Sequence, residues 1–169
     1  FLTLLNALFA MSELAMSTAR KVRLAAMAES GDKGAAAAIK LADEPTRMLS
    51  TVQVGITSIG LLNGIVGEAA FAAGVATQLQ SWGAPEAVAR PIATFSVVVV
   101  LAYITLIFGE MVPKRIGLLY PEVVARWVAR PMIFLATATA PFIRLISWST
   151  ETMLRLLRIN TNNARLVTE

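Results

Sequence analysis

The sequence predicts an all-α membrane protein with three transmembrane helices, a cytosolic helical hairpin and a juxtamembrane helical belt. Hydrophobic residues make up 56% of the 169 positions and charged residues 15%, and the mean hydropathy is +0.66. Soluble domains carry about 25% charged residues. The apolar residues form long runs separated by polar connectors. This pattern is typical of a chain that crosses a membrane.

The first predicted span covers residues 1–19. It contains one charge, Glu13, and is followed by Arg20, Lys21 and Arg23. Because an α-helix rises 1.5 Å per residue, a run of this length reaches across roughly 30 Å of hydrocarbon. The basic residues then mark its polar end.

The connector at residues 20–47 predicts the helical hairpin. It carries six basic and four acidic residues. Its alanine-rich stretch, residues 35–42, lies between a turn signal at Gly31-Asp32 and Pro45. Alanine favours helix and the flanking residues favour turns, so two short helices are expected here.

The second predicted span covers residues 48–76. Glu68 interrupts this run, together with five glycines, which weaken a continuous helix and allow either close helix contact or an unwound turn. The glycines are Gly55, Gly60, Gly64, Gly67 and Gly74.

The third predicted span covers residues 91–112, after a polar connector at 77–90. Pro91 suits the first turn of a helix, where its missing N–H is not needed. Pro113 is expected to end or kink the span just beyond Glu110.

Residues 121–159 predict the juxtamembrane belt. The uncharged run 131–143 is too short for an ordinary span, and Arg130 and Arg144 flank it. We expect this segment to lie along the membrane surface or beneath the bundle, and a fourth crossing is the alternative. Residues 1–159 would then form one transmembrane domain. The polar residues 160–169 are expected to link it to a cytosolic regulatory region outside this sequence.

The distribution of Lys and Arg predicts the orientation. Residues 20–47 contain six, 77–90 contain one, and 114–130 contain four. The positive-inside rule places the basic segments in the cytoplasm. The protein is therefore expected in the plasma membrane, with its N-terminus outside and its C-terminus inside.

Several function classes are disfavoured by composition. The sequence has no cysteine and no histidine, and its two aspartates, Asp32 and Asp43, lie in a polar connector. This leaves no thiol or Ser-His-Asp catalysis and no usual zinc ligands, so we do not expect an enzyme. The basic residues adjoin apolar runs rather than stacking aromatics, which argues against nucleic-acid binding.

Glu110 is the first candidate for a cation ligand, because it ends a membrane-length apolar run. A carboxylate deep in a bilayer costs about 2.5–3.5 kcal/mol, and such residues usually serve a function. Gly109 is expected to leave the adjoining backbone accessible. The alternative is an ordinary pair at the water interface between Glu110 and Lys114, four residues later.

The second span carries a stripe of small and polar residues that lie within roughly 40° of Gln53 on a helix. Asn63, about 80° away, needs hydrogen-bond partners in hydrocarbon. A close-packing seam at Gly60 and Gly64 is the alternative to an ion path. The stripe consists of Gln53, Thr57, Gly60, Gly64 and Gly67.

The first span adds Ser12, Glu13 and Ser17 within about two turns. All three spans therefore offer oxygen donors. A ligand set of oxygens with one or two carboxylates favours Mg²⁺ or Ca²⁺ over transition metals.

Three segments resemble a known family. They are FAMSELAMSTARKVRL at residues 9–24, STVQVGITSIGLLNGIVGE at 50–68 and GEMVPKRIGL at 109–118. In this order they resemble the transmembrane domain of the CorC and cyclin M magnesium transporters. The resemblance implies a homodimer of three-helix units in the lipid bilayer, followed by a cytosolic regulatory domain that binds ATP.

The resemblance also implies a Mg²⁺ site among the three spans. By matching motifs, the side-chain ligands would be Ser12, Asn63 and Glu110. Backbone oxygens of Gly60, Gly64 and Gly109 are candidates, and Ser17 is a further one. Glu13 matches the Ser-Glu pair of the family, and the alternatives are a role in helix packing or a pair with Lys114 or Arg115.

The function expected from these observations is Mg²⁺ transport by alternating access. Na⁺-coupled export, with Na⁺ as the coupling ion, is one form of it. The alternative is a Mg²⁺-sensing or scaffold domain that moves no ion. No feature of the sequence decides the direction of transport.

Overall fold

The computed structural model of this chain describes residues 1–156, so the predicted linker at 160–169 lies outside the described residues. All regular elements in the described part are helical, which confirms the all-α prediction. They are α1 (Leu2–Thr18), α2 (Lys21–Glu29), α3 (Lys33–Ala42), α4 (Pro45–Ser81), α5 (Glu86–Leu106), a π-helical turn (Ile107–Met111), α6 (Val112–Leu119), α7 (Pro121–Ala138) and α8 (Ala140–Leu156).

Two helices are long and apolar enough to cross a membrane. They are α4, with 37 residues, and the continuous helix Glu86–Leu119, with 34 residues. The pairs α1–α2 and α7–α8 bend by 96° and 63°, and either pair could form one broken span, which gives two to four candidates. This is a membrane protein, and three crossings remain a prediction.

Helix α4 is continuous despite its glycines, so the unwound turn considered for residues 48–76 is not found. Two of the glycines instead permit close helix contact. A Cβ atom on Gly55 would clash with the Phe9 ring of α1, and one on Gly67 would clash with Leu101 of α5. At about 55 Å, α4 is longer than the hydrocarbon core, so part of it extends beyond the apolar layer.

The connector between α4 and α5 is shorter than predicted and covers residues 82–85. Gly83 has a φ of +93°, and hydrogen bonds from Gly83 N to Gln80 O and from Ala84 N to Leu79 O close the end of α4. Helices commonly end in this way, with a glycine in the left-handed conformation just after the last turn. Helix α5 therefore starts at Glu86, and Pro91 lies in its second turn rather than its first.

The predicted helical hairpin is present as α2 and α3. Asp32 caps α3, because its Oδ1 accepts hydrogen bonds from the N–H groups of Gly34 and Ala35 at 2.8 and 3.1 Å. Its Oδ2 accepts from Arg126 on α7 at 3.1 Å. A Cβ on Gly34 would clash with the Arg126 carbonyl, so α3 and α7 approach backbone to backbone.

Helix α7 connects the polar ends of α1 and α4. Near its start, Glu122 Oε1 accepts a hydrogen bond from the Arg20 N–H at 3.4 Å and Oε2 lies 3.8 Å from Arg23. Near its end, the Thr137 hydroxyl accepts from Arg47 at 3.3 Å. Buried residues of α7 complete a core with α1, the hairpin and the first half of α4. Helix α7 thus joins these elements in one core, and its position in a juxtamembrane belt stays a prediction.

The Asp32 cap predicts acid sensitivity. The N–H of Ala35, together with Gly34 and Arg126, lowers the pKa of Asp32 below its ordinary value of 3.8, although burial opposes this. Since the folded pKa is the lower one, ionised Asp32 stabilises the fold above pH 3.8. That stabilisation is lost as the pH falls through the folded pKa. Asp32→Asn should therefore lower the unfolding temperature near neutral pH, with a difference that shrinks on acidification.

Thermal unfolding of the detergent-solubilised protein across this pH range would measure the difference. Asp43→Asn is the matched control, because the Asp43–Lys21 pair is exposed by about 60% on both sides and should contribute little. An equal loss in both variants, or a pH-independent loss for Asp32→Asn, would contradict the role of the cap.

Candidate ion site

The π-helical turn Ile107–Met111 is the central feature of the third long helix. The Val112 N–H donates to the carbonyl of Ile107, five residues earlier. Pro113 follows at once and has no N–H, and its ring would crowd the carbonyl four residues before it, that of Gly109. A widened turn relieves this crowding and occurs often at functional sites. Pro113 therefore does not end the helix, which continues to Leu119.

The carbonyl of Gly109 receives its hydrogen bond from another helix. Asn6 of α1 donates from Nδ2 at 3.0 Å, and the contact is buried. A Cβ on Gly109 would lie 3.3 Å from that nitrogen and 3.3 Å from a methyl group of Thr105. A side chain at position 109 would thus be tightly packed. The backbone of Gly109 is buried, whereas the sequence predicted an accessible one.

Asn6 was missed by the sequence reasoning. It is only 3% exposed, and among residues 1–156 its Oδ1 is buried without a hydrogen-bond partner. A signal was present in the sequence, because an amide inside the apolar run 1–19 needs partners in hydrocarbon as much as Asn63 does. The reasoning applied to Asn63 would have identified it.

Glu110 lies in the π-turn and is paired with Lys114. Their Oε1 and Nζ atoms are 2.8 Å apart, and Lys114 Nζ also lies 3.3 Å from Glu13 Oε2 of α1. Each side chain is between 26% and 30% exposed. The structure thus forms the predicted i,i+4 pair and extends it to Glu13. Two carboxylates share one ammonium group at the boundary of α1 and α6.

Asn63 of α4 connects to the helix of Glu110 through Thr105. The Asn63 Nδ2 donates to the Thr105 hydroxyl oxygen at 2.7 Å. Thr105, which sequence reasoning also missed, contacts Gly109 through its methyl group. Asn63 of α4 and Asn6 of α1 therefore each donate one hydrogen bond to the helix that carries Glu110, at Thr105 and at Gly109.

Ser12 lies on a different face of α1. It is 2% exposed, and its hydroxyl donates to the Leu8 carbonyl of its own helix. It is about 120° around α1 from Asn6. Ser12 borders a cavity of about 500 Å³ between α1 and α7 that is lined almost entirely by apolar side chains.

The remaining predicted ligands have other surroundings. Ser17 is exposed and donates to the Glu13 carbonyl at 2.8 Å. Gly60 and Gly64 have nothing within 4 Å of an added Cβ. Within residues 1–156 these two glycines make no packing seam, and the part of the stripe that they form is open to lipid, to a second chain or to an ion path.

The sequence-predicted ligands therefore divide into groups. Glu110 and Gly109 lie in the π-turn, and Asn63 reaches it through Thr105. Ser12, Ser17 and the two α4 glycines have separate contacts. Residues 1–156 contain no cluster of three or more acidic side chains that could hold a metal. The ligand set taken from the resemblance stays a prediction.

The whole sequence, residues 1–169, matches the family described as the cyclin M transmembrane N-terminal domain. The chain belongs to this family. The resemblance drawn from the three segments is thereby confirmed.

Three relatives of this cyclin M domain illustrate its range. The UPF0053 protein sll0260 of Synechocystis sp. is 42% identical over 99% of this chain and 38% of its own length. The polyamine export protein of Haemophilus influenzae is 30% identical over 95% of this chain and 37% of its own length. The polyamine export protein of Salmonella typhimurium is 31% identical over 91% of this chain and 34% of its own length. The domain thus spans little more than a third of these relatives.

The shared ammonium predicts a cation-dependent stability of this cyclin M domain. Lys114→Met would leave Glu110 and Glu13 without a cation between them. We expect a loss of about 1–3 kcal/mol, between the values for exposed and buried ion pairs. Added Mg²⁺ should restore part of it, because a divalent ion can replace the ammonium group.

Thermal unfolding in EDTA and in Mg²⁺ would test this. Lys114→Arg keeps the charge and should behave like the wild type in both. If Lys114→Met unfolds at the wild-type temperature in EDTA, the ammonium does not hold the two carboxylates together.

Proposed function

We propose that this cyclin M domain moves Mg²⁺ across the membrane by alternating access. The observation that carries the proposal is the π-turn, where Glu110 lies beside a carbonyl that has left the ordinary helical ladder. A π-turn inside a helix often marks a functional site, and this one holds the Gly109 carbonyl and the Glu110 carboxylate in the same turn. Asn63 and Asn6 add neutral amide groups from two other helices.

The proposed ligands are those implied by the resemblance, namely Ser12, Asn63 and Glu110, with backbone oxygens of Gly60, Gly64 and Gly109 and with Ser17 as a further candidate. Ser12 would have to exchange its bond to Leu8 and turn toward the π-turn in another conformation. Mg²⁺ requires a near-octahedral set of oxygens and gives up water reluctantly. A rearrangement of helices that assembles this set once per cycle would suit alternating access.

Lys114 has a defined part in this proposal. Its ammonium group forms ion pairs with Glu110 and Glu13, so an arriving cation must displace it from at least one carboxylate. Binding would then be an exchange of one cation for another. This limits the desolvation penalty, because Glu110 never faces the interior without a positive partner.

The rest of the proposal concerns the whole protein. We place the domain in the plasma membrane as a homodimer, with the N-terminus outside and the C-terminus cytoplasmic. The open stripe at Gly60 and Gly64 is a suitable surface for the second copy. A cytosolic regulatory domain would bind ATP, and Na⁺ would be the coupling ion if transport is coupled export.

Polyamine export is a second candidate, favoured by a specific contact. Glu110 and Glu13 already bind an alkylammonium group, that of Lys114, at 2.8 and 3.3 Å. A polyamine presents the same group at the end of an alkyl chain. Two relatives named as polyamine export proteins are 30% and 31% identical to this chain.

Transport assays in proteoliposomes would decide between these functions. We expect the purified full-length protein to carry Mg²⁺, and Glu110→Gln to reduce the flux at least tenfold because the ion loses its carboxylate ligand. Glu68→Gln is the matched control. It removes another carboxylate from an apolar helix, one that accepts a hydrogen bond from Thr94 at 3.2 Å, and it should transport normally.

The other outcomes are equally specific. Flux of spermidine without flux of Mg²⁺ would replace the first candidate by the second. Mg²⁺ binding without flux of either substrate would support the sensor or scaffold function. Normal Mg²⁺ flux in Glu110→Gln would remove the π-turn from the transport site.

A further inference from the structure

Asn6 differs from the other buried polar side chains of the described part. Ser12 and Thr51 are as deeply buried, but each hydroxyl donates to a carbonyl of its own helix, that of Leu8 or Arg47. The amide of Asn6 donates to a different element, at Gly109, and its oxygen has no partner among residues 1–156. A buried amide oxygen without a donor is costly, so it points to a ligand.

The orientation of this amide is fixed by chemistry. The Gly109 carbonyl accepts, so the group 3.0 Å from it must be the NH₂ group of Asn6 and not its oxygen. The Oδ1 atom is therefore directed away from Gly109. An amide oxygen accepts hydrogen bonds and binds hard cations. Among residues 1–156, no donor contacts the Oδ1 atom of Asn6.

The turn to which Asn6 donates is packed by threonine methyl groups. Those of Thr3 and Thr105 lie within 3.4 Å of the position of a Gly109 Cβ. The Thr105 hydroxyl accepts from Asn63 of α4. The amides of Asn6 and Asn63, on two other helices, thus both donate to the helix that carries Glu110.

Asn6 lies at a different level of α1 from Ser12. Six residues of α1 separate Asn6 from Ser12, a rise of about 9 Å. A Mg²⁺ ion binds oxygens at about 2.0–2.1 Å. One ion therefore does not bind Asn6 and Ser12 at the same time, and the two residues belong to different positions along the bundle.

We propose that Asn6 Oδ1 binds the transported cation at a second position, near the level of Gly109 and distinct from the level of Ser12. This inference rests on the proposed function. A neutral oxygen replaces part of the hydration shell without adding a fixed charge. An ion is therefore held there more weakly than at Glu110 and is released more easily.

The test uses two substitutions of Asn6 in the full-length protein, with Mg²⁺ binding measured by calorimetry in nanodiscs. Asn6→Ala removes the oxygen and should remove one Mg²⁺ per chain. Asn6→Asp keeps an oxygen and adds charge, so it should retain that ion and bind it at least tenfold more tightly. Thr51→Val, which removes a buried hydroxyl bonded within its own helix, should leave both binding and stoichiometry unchanged.

A purely structural role gives a different result. If Asn6 serves only to donate to Gly109, Asn6→Asp should be at least as harmful as Asn6→Ala, because a carboxylate repels that carbonyl. This outcome, or unchanged stoichiometry in Asn6→Ala, would overturn the proposal. If the wild type itself binds no Mg²⁺, the proposed function fails together with it.

A measurement on the wild type does not depend on the folding of a variant. With asparagine labelled by ¹⁵N, the side-chain NH₂ signal of Asn6 should shift on addition of Mg²⁺ and broaden on addition of Mn²⁺. The Asn6→Asp spectrum identifies the signal by its absence. An Asn6 signal that ignores both ions, while Mg²⁺ binding is detected by calorimetry, would overturn the second position.

Discussion

Pro113 cannot donate a hydrogen bond to the Gly109 carbonyl, and the contacts between α1 and the third long helix are arranged around this constraint. Asn6 supplies the missing donor. Farther along, Glu13 and Glu110 meet at Lys114. A Cβ on Gly117 would clash with the Met11 carbonyl, so α1 and α6 touch backbone to backbone. These three contacts fix α1 against the segment that carries Glu110.

The opposite side of α1 is held by a different kind of contact. There the hairpin and α7 contribute small and aliphatic side chains to the core, and charged contacts lie at the edge. Asp32 caps α3 and reaches Arg126, while Glu122 reaches the end of α1. Helix α1 therefore lies between a polar seam toward the π-turn and an apolar seam toward α7. Any movement that exposes Ser12 to the π-turn has to alter both seams.

Hydropathy and turn chemistry predicted the helical class, the hairpin and the approximate spans. These features depend on the summed hydropathy of short segments and on single residues such as Asp32. The full length of α4, the place of Pro91 in the second turn and the π-turn were not predicted. They are decided by contacts between segments far apart in sequence, such as Phe9 with Gly55. Of the site, Glu110 and Asn63 could be found from their cost in hydrocarbon. The partners Asn6 and Thr105 could not be assigned to them without coordinates.

The charges around the π-turn bear on which cation the domain handles. Glu13 and Glu110 carry two negative charges and Lys114 carries one positive charge, so this group alone has a net charge of −1. A neutral substrate would gain nothing from that field, whereas a cation is attracted by it. Mg²⁺ needs several further oxygens at fixed distances. Asn63 carries a neutral amide oxygen near the helix of Glu110, and Asn6 carries one for the proposed second position. A polyamine needs a second anionic group several bonds away, and Glu13 with Glu110 offers only one compact acidic pair. The neutral oxygens thus have a use in the first case that they lack in the second, and for this reason we propose Mg²⁺ as the first candidate substrate and a polyamine as the second.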